Sequence, residues 1–463
     1  ISASQSRVDR MITKAPGGNA GLIARDLSVL WHPCTQMHDH ESLPPVPVAS
    51  AEGAWLTDFD GRRYFDGISS WWTSLFGHRH PAIVEAIGAQ LGRLDHVLLA
   101  GFSHEPAVAL AERLLAMAPP GLARVFYADN GSSAVEVALK MSLHAWRNRG
   151  QPRHRFVALT GGYHGETLGA LSVTDLGLYR EPYRPLLVEP LWANSPDAYL
   201  AEPGESAAQV AARRLEELDA LLGRHAGEVA AVIVEPLVQC AGGMRMHHPD
   251  WLAGLRRLCD RHDVHLIADE IAVGFGRTGT LFACEQAAIS PDFLCLSKGI
   301  TGGFLPLAAV LTTADVYESF YGDWRSGKAF LHSHSYTGNP IACAAALASC
   351  ALFDDGSVLA RIAALGRHLG AALEPLRAHP NVADVRRTGL IAAVEVVADR
   401  GSRRPFPAAE RRGRRLYAHA LANGVLLRPL GDVVYFMPPY CSTEAEIDAL
   451  VAVATSGIEA MVA

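Results

Sequence analysis

Apolar positions along this 463-residue chain follow two rhythms. Short continuous apolar runs, bounded by glycine or acidic residues, predict buried strands. They are Val125–Ala128, Phe156–Thr160, Val229–Glu235, Val264–Ala268, Asp292–Leu296 and Ala308–Thr312. Between several of them the period lengthens to that of a helix, over Ser132–Arg149 and Trp251–His262. Strands alternating with helices predict a mostly parallel sheet covered on both faces. Ahead of this core, Gly53–Asp66 reads as a hairpin, and Pro81–Leu91 and Glu105–Met117 as helices.

A helix of small residues, Ala342–Phe353, leads into a tail of different character. The tail reads as helix (Leu359–Ala378), strands (Val382–Arg386, Leu390–Val397), helix (Ala408–Asn423), strands (Val425–Arg428, Val433–Met437) and helix (Thr443–Met461). The expected organisation is a doubly wound α/β domain over 76–338 and an α+β domain built from 1–75 and 339–463. Ala198–Leu222, rich in Ala, Glu and Arg, reads as a surface insertion, and Ile1–Ala20 as partly disordered.

Composition changes this picture little. Apolar residues make up 49% and charged residues 19%, enough for a large core, and the net charge of −7 argues against a nucleic-acid partner. No run of 18 apolar residues indicates a membrane span. None of the eight cysteines forms a CxxC pair, so they read as reduced thiols of a cytoplasmic protein, with no metal expected.

Candidate chemistry gathers at strand ends. Lys298 ends an apolar run and precedes Gly299, Gly302 and Gly303, which places its amine at the rim of a sheet. Such a lysine is either surface charge or an amine held for covalent work. Asp269 and Glu270 end another strand 29 positions earlier (298 − 269). Asn130-Gly131-Ser132-Ser133 joins a strand to a helix, which makes either a plain cap or a phosphate cradle. Tyr163, between glycines, is placed to cover a planar ring, and Glu235 ends a third strand.

The run from Asp269 to Gly279, followed by Ser297-Lys298-Gly299, resembles the signature of class III aminotransferases. The resemblance implies an aspartate-aminotransferase-like fold (fold type I), pyridoxal 5'-phosphate as cofactor and a homodimer with shared active sites. It makes Lys298 the Schiff-base lysine and proton shuttle and Asp269 the partner of the pyridine nitrogen. Gly131 and Ser132 become phosphate ligands, and Tyr163 and Glu235 active-site neighbours. In His332-Ser333-His334-Ser335, the Ser335 hydroxyl is implied to reach the phosphate of the neighbouring subunit, with Ser333 and His334 beside substrate and cofactor.

Further segments are similar to one branch of that family, which aminates a nine-carbon keto acid with a terminal carboxylate. They include Trp31-His32-Pro33-Cys34-Thr35, Ser69-Ser70-Trp71-Trp72 and Leu427-Arg428-Pro429. Trp71 and Trp72 are implied to wall an apolar slot, and Arg428 to clamp the carboxylate. Cys34 stands where the branch has a substrate-contacting tyrosine. The implied donor is adenosylmethionine, with lysine as used by some relatives. Alternatives are another class III aminotransferase, an aminomutase of the same fold or a non-catalytic pyridoxal-phosphate-binding regulator.

Overall fold

The computed structural model describes residues 17–463. The expectation for residues 1–16 lies outside the described residues, whereas Gly18–Val29, which overlaps the segment read as partly disordered, forms a helix. Asn19 ties that helix to the first hairpin, its Nδ2 donating to Asp58 Oδ2 at 3.0 Å.

Strands β1 (Val48–Glu52), β2 (Trp55–Asp58) and β3 (Arg63–Asp66) open the chain as an antiparallel meander. The central sheet then takes β4 (Leu122–Ala128), β5 (Arg155–Leu159), β6 (Leu191–Ala193) and β7 (Val229–Val234). A small pair, β8 (Val238–Gln239) and β9 (Arg245–Met246), precedes β10 (His265–Asp269), β11 (Phe293–Leu296) and β12 (Ala308–Thr313). The tail adds β13 (Val382–Thr388), β14 (Ile391–Val396), β15 (Val425–Leu426) and β16 (Val433–Phe436).

The central sheet has the order β4-β12-β11-β10-β7-β5-β6. Only β12 runs against its neighbours, so β4, β5, β7, β10 and β11 end on one edge. Successive residues of the central strands feed opposite faces. Val232, Leu266 and Leu294 join one apolar cluster, and Ile233, Ile267 and Phe293 the other. Both faces are dry, which is why these strands read as unbroken apolar runs.

The two ends of the chain meet in a second sheet, β1-β2-β3-β15, where β15 pairs in parallel with β3. A third sheet, β13-β14-β16, is antiparallel.

The segment read as a surface insertion is instead part of the core architecture. Its helix, Ala207–Arg224, is the crossover between β6 and β7, and it buries Val210, Ala211, Leu218 and Leu222. The apolar stripe is narrow and set among charged residues, so composition hid it. The edge strand β6 has three residues and left no periodic signal.

Candidate active site

The five parallel strand ends open into a cavity of about 590 Å³, at the carboxyl edge where open α/β sheets hold ligands. Lys298 follows β11 and lines this cavity with φ of 44°, a left-handed conformation costly for a side chain. Its Nζ lies 4.4 Å from the centre of the Trp72 ring. Burial pushes this amine below its ordinary range, while Cys240, Asp269 and Glu235 pull the other way. A neutral amine is the form able to act as nucleophile or base.

Asp269, 4% exposed, ends β10. Its Oδ2 lies 2.7 Å from His164 Nδ1, and its Oδ1 accepts from the Ile271 amide at 3.1 Å. His164 Nε2 is buried and meets no partner among the described residues. That contact assigns the Nδ1–H tautomer, with the proton on the side of the carboxylate. Glu235, after β7, accepts from the amides of Tyr163 (3.0 Å) and Cys240 (2.9 Å). Burial raises its carboxyl to about 7 although both amides favour the charged form.

Asn130 caps the helix Gly131–Asn148, its Oδ1 accepting from Ser133 N at 3.0 Å. The amides of Gly131 and Ser132 lie in the first turn, where no helical carbonyl can meet them. The space beside them is kept open by glycine. A Cβ on Gly165, at φ of 124°, would stand 2.3 Å from Ser132 Oγ. Ser132 Oγ itself accepts from Thr167 N at 3.0 Å. Tyr163 donates its hydroxyl to Glu166 Oε1 at 2.9 Å, and burial holds its phenol protonated.

The tandem tryptophans part company. Trp72 is buried, its Nε1 donating to Tyr435 Oη at 3.2 Å. Trp71 is 40% exposed, with the Arg428 guanidinium 5.0 Å from its ring. Both line the cavity, as does Cys34. Arg428 does not. Its Nη2 donates to the Cys34 carbonyl at 3.1 Å, and it lines an adjoining cavity of about 540 Å³ that shares Cys34 with the first. Lys298, Asp269, Glu235, Tyr163, Gly131, Ser132, Trp71, Trp72 and Cys34 therefore surround one space.

Ser333, His334 and Ser335 stand outside that space in this single chain. Ser333 and Ser335 are exposed. His334 approaches only the rim, its Nδ1 4.0 Å from Oδ2 of Asp129. Sequence reasoning missed His164, which follows Tyr163 in Gly162-Tyr163-His164-Gly165 but meets Asp269 105 positions away. It also missed the wall Phe304–Leu307.

Pyridoxal phosphate fits these residues. A buried carboxylate backed by His164 suits a protonated ring nitrogen, open amides at a glycine-cleared helix start suit a phosphate, and a desolvated amine suits a carbonyl. Comparison with known proteins agrees. The family model "Aminotransferase class-III" matches residues 36–456. The chain is 47% identical to the adenosylmethionine-8-amino-7-oxononanoate aminotransferase of Geobacter sulfurreducens, over 91% of this chain and 94% of that protein. The same-named protein of Helicobacter pylori is 44% identical, over 93% and 96%. Among solved structures, the same-named enzyme of Methanocaldococcus jannaschii superposes with a TM-score of 0.89 at 36% identity, covering 95% of this chain and 98% of that one. The omega transaminase of Pseudomonas jessenii in complex with PMP superposes with a TM-score of 0.90 at 31% identity, over 95% and 98%. With its sheet order, its strand-end cavity and these likenesses together, the chain belongs to the class III aminotransferases, which depend on pyridoxal phosphate.

Proposed function

We propose that this aminotransferase converts 8-amino-7-oxononanoate to 7,8-diaminononanoate in biotin biosynthesis, with S-adenosylmethionine as amino donor. The observation that carries the reading is identity of 47% to a relative named for that keto acid and donor, over nearly the whole of both chains. The omega transaminases superpose as well but share only about a third of the sequence, at 31%.

Pyridoxal phosphate, when bound, supplies the electron sink for charge at the substrate carbon. Lys298 would hold the carbonyl end of the cofactor, and its desolvated amine is suited to that and to moving the proton at the substrate carbon. Asp269 keeps the ring nitrogen protonated, and His164 keeps Asp269 oriented and in need of a cation. The amides of Gly131 and Ser132 hold the phosphate, and Tyr163 covers the ring. Trp71 and Trp72 wall an apolar slot for the carbon chain. Arg428, with no carboxylate of the described residues in ion-pairing range, takes the substrate carboxylate where the slot meets the outer cavity. Cys34 is a substrate contact at the same junction. We further propose a cytoplasmic homodimer in which Ser335, with Ser333 and His334 beside it, serves the neighbouring subunit's site. The 3.3 Å contact between His332 and His334 holds that exposed segment in one shape.

The test is amination of 8-amino-7-oxononanoate by the cofactor-loaded protein with adenosylmethionine and, separately, with lysine. Turnover with adenosylmethionine is the expected result. Turnover with lysine alone would reassign the donor, and none with either would overturn the substrate.

A further inference from the structure

The helix that starts the phosphate cradle carries another cavity further along its length. This cavity holds about 410 Å³, within the usual size of a small-molecule pocket. Its floor is apolar, formed by Leu139 and Leu143 one helical turn apart, with Phe156, Val173, Val188 and Phe330. Leu143 is 38% exposed, an apolar side chain left facing water at its edge.

The charges around it are unequally engaged. Glu136 is committed to the amides of Gly169 (2.7 Å) and Ala170 (3.2 Å). Glu189 is committed to Arg180 (2.5 Å) and Trp192 Nε1 (2.9 Å). Lys140 meets His332 Nδ1 at 2.8 Å. The side chains of Arg147 and His154 have no hydrogen bond or ion pair among the described residues, and both stand exposed at the rim. An apolar floor with spent acids and free bases is complementary to an anion with an aliphatic tail.

We infer that this cavity binds a medium-chain aliphatic carboxylate, its tail over Leu139 and Leu143 and its headgroup at Arg147 and His154. The site is separate from the catalytic cavity and does not rest on the proposed substrate. Its walls still lead back there. The helix begins at Gly131, and Glu136 accepts from the first turn of the short helix Leu168–Ser172, which follows the segment of Tyr163.

Calorimetric titration of the cofactor-loaded protein with hexanoate, octanoate and 1-octanol tests the inference. At about fourfold per methylene, octanoate is expected to bind about fifteenfold tighter than hexanoate. It should bind at least about tenfold tighter than 1-octanol, which lacks the charge. Leu143→Glu places a charge in the tail's path, and Arg147→Gln removes the headgroup's partner. Each is expected to weaken octanoate about tenfold while kcat without octanoate stays within about twofold. Both lie on the exposed helix face, and circular dichroism checks that they fold. Undiminished octanoate binding in both variants would place the ligand elsewhere and overturn the inference. So would equal affinity for octanol, absence of binding, or a change of oligomeric state in Leu143→Glu, which would make the cavity part of an interface.

Discussion

Glu395 on β14 and Asp269 on β10 are both buried acids, 7% and 4% exposed, yet their surroundings are built differently. Glu395 sits among guanidinium groups. Arg386 donates to it at 2.7 Å and Arg245 at 3.0 Å. Arg386 also donates to the carbonyls of Met244 (2.8 Å) and Gly243 (2.7 Å), which joins β13 to the loop before β9. Every charge there has an opposite. At the rim of the central sheet, Asp269 has only a histidine and an amide, Glu235 only amides, and Lys298 an indole face. Charges that answer one another fasten parts of the fold together; charges left unanswered are held for a ligand.

That contrast can be broken from either side. The largest effect is expected at Lys298. Lys298→Ala should lower kcat by at least about 10³-fold, since nucleophile and proton shuttle go together, while the melting temperature stays nearly unchanged. Steady-state kinetics with a melting curve separates the two. Glu395→Ala should show the reverse pattern. It takes the shared carboxylate from two guanidinium groups, leaving Arg386 with Asp384 at 3.1 Å and Arg245 with Asp197 at 3.6 Å, and a loss of about 1–3 kcal/mol in denaturant unfolding is expected, with kcat of the folded fraction retained.

A smaller effect comes from pH. Burial lifts Glu235 to about 7, above its ordinary 4.5, so the folded chain keeps a proton that the unfolded chain has lost. The contribution of Glu235 to stability therefore falls as pH rises from about 4.5 to about 7, as does that of Glu270, which burial lifts to the same value. Glu235→Gln should remove its own share of that slope and leave the share of Glu270, and an unchanged slope would show that Glu235 does not contribute. The smallest effect is at the cap. Asn130→Ala removes the acceptor for Ser133 N and should cost about 1 kcal/mol, read by unfolding and by weaker cofactor retention.

The contrast also marks what could be read along the chain. Strands buried on both faces leave continuous apolar runs, so β7, β10, β11 and β12 were legible within a residue or two, as was the helix after Asn130. The rim residues followed, because each one ends such a run. Pairings across long separations left no local trace. His164 and Asp269 are 105 positions apart, and Trp71 and Trp72 look alike in sequence though only Trp72 is buried. The crossover helix Ala207–Arg224 was misplaced because its few buried residues are diluted by charge. Arg428 was read as the last residue of a strand Val425–Arg428, whereas β15 ends at Leu426, and its placement beyond the first cavity goes with its bond to the Cys34 carbonyl, 394 residues earlier.

The turn Ser69–Trp72 runs through four consecutive positive φ values, from 45° to 74°. A left-handed run of this kind is costly for each residue and cannot hold itself. Its supports come from far along the chain. Ser69 Oγ donates to the Met437 carbonyl, and Trp72 leans on Tyr435. During synthesis, then, the wall that faces Lys298 has only Asp66, which accepts from Ser70 N and Oγ, until β16 is made. The pocket should therefore close only once residues 433–437 are present, and a nascent chain arrested before residue 433 should emerge with the central sheet but without a closed pocket.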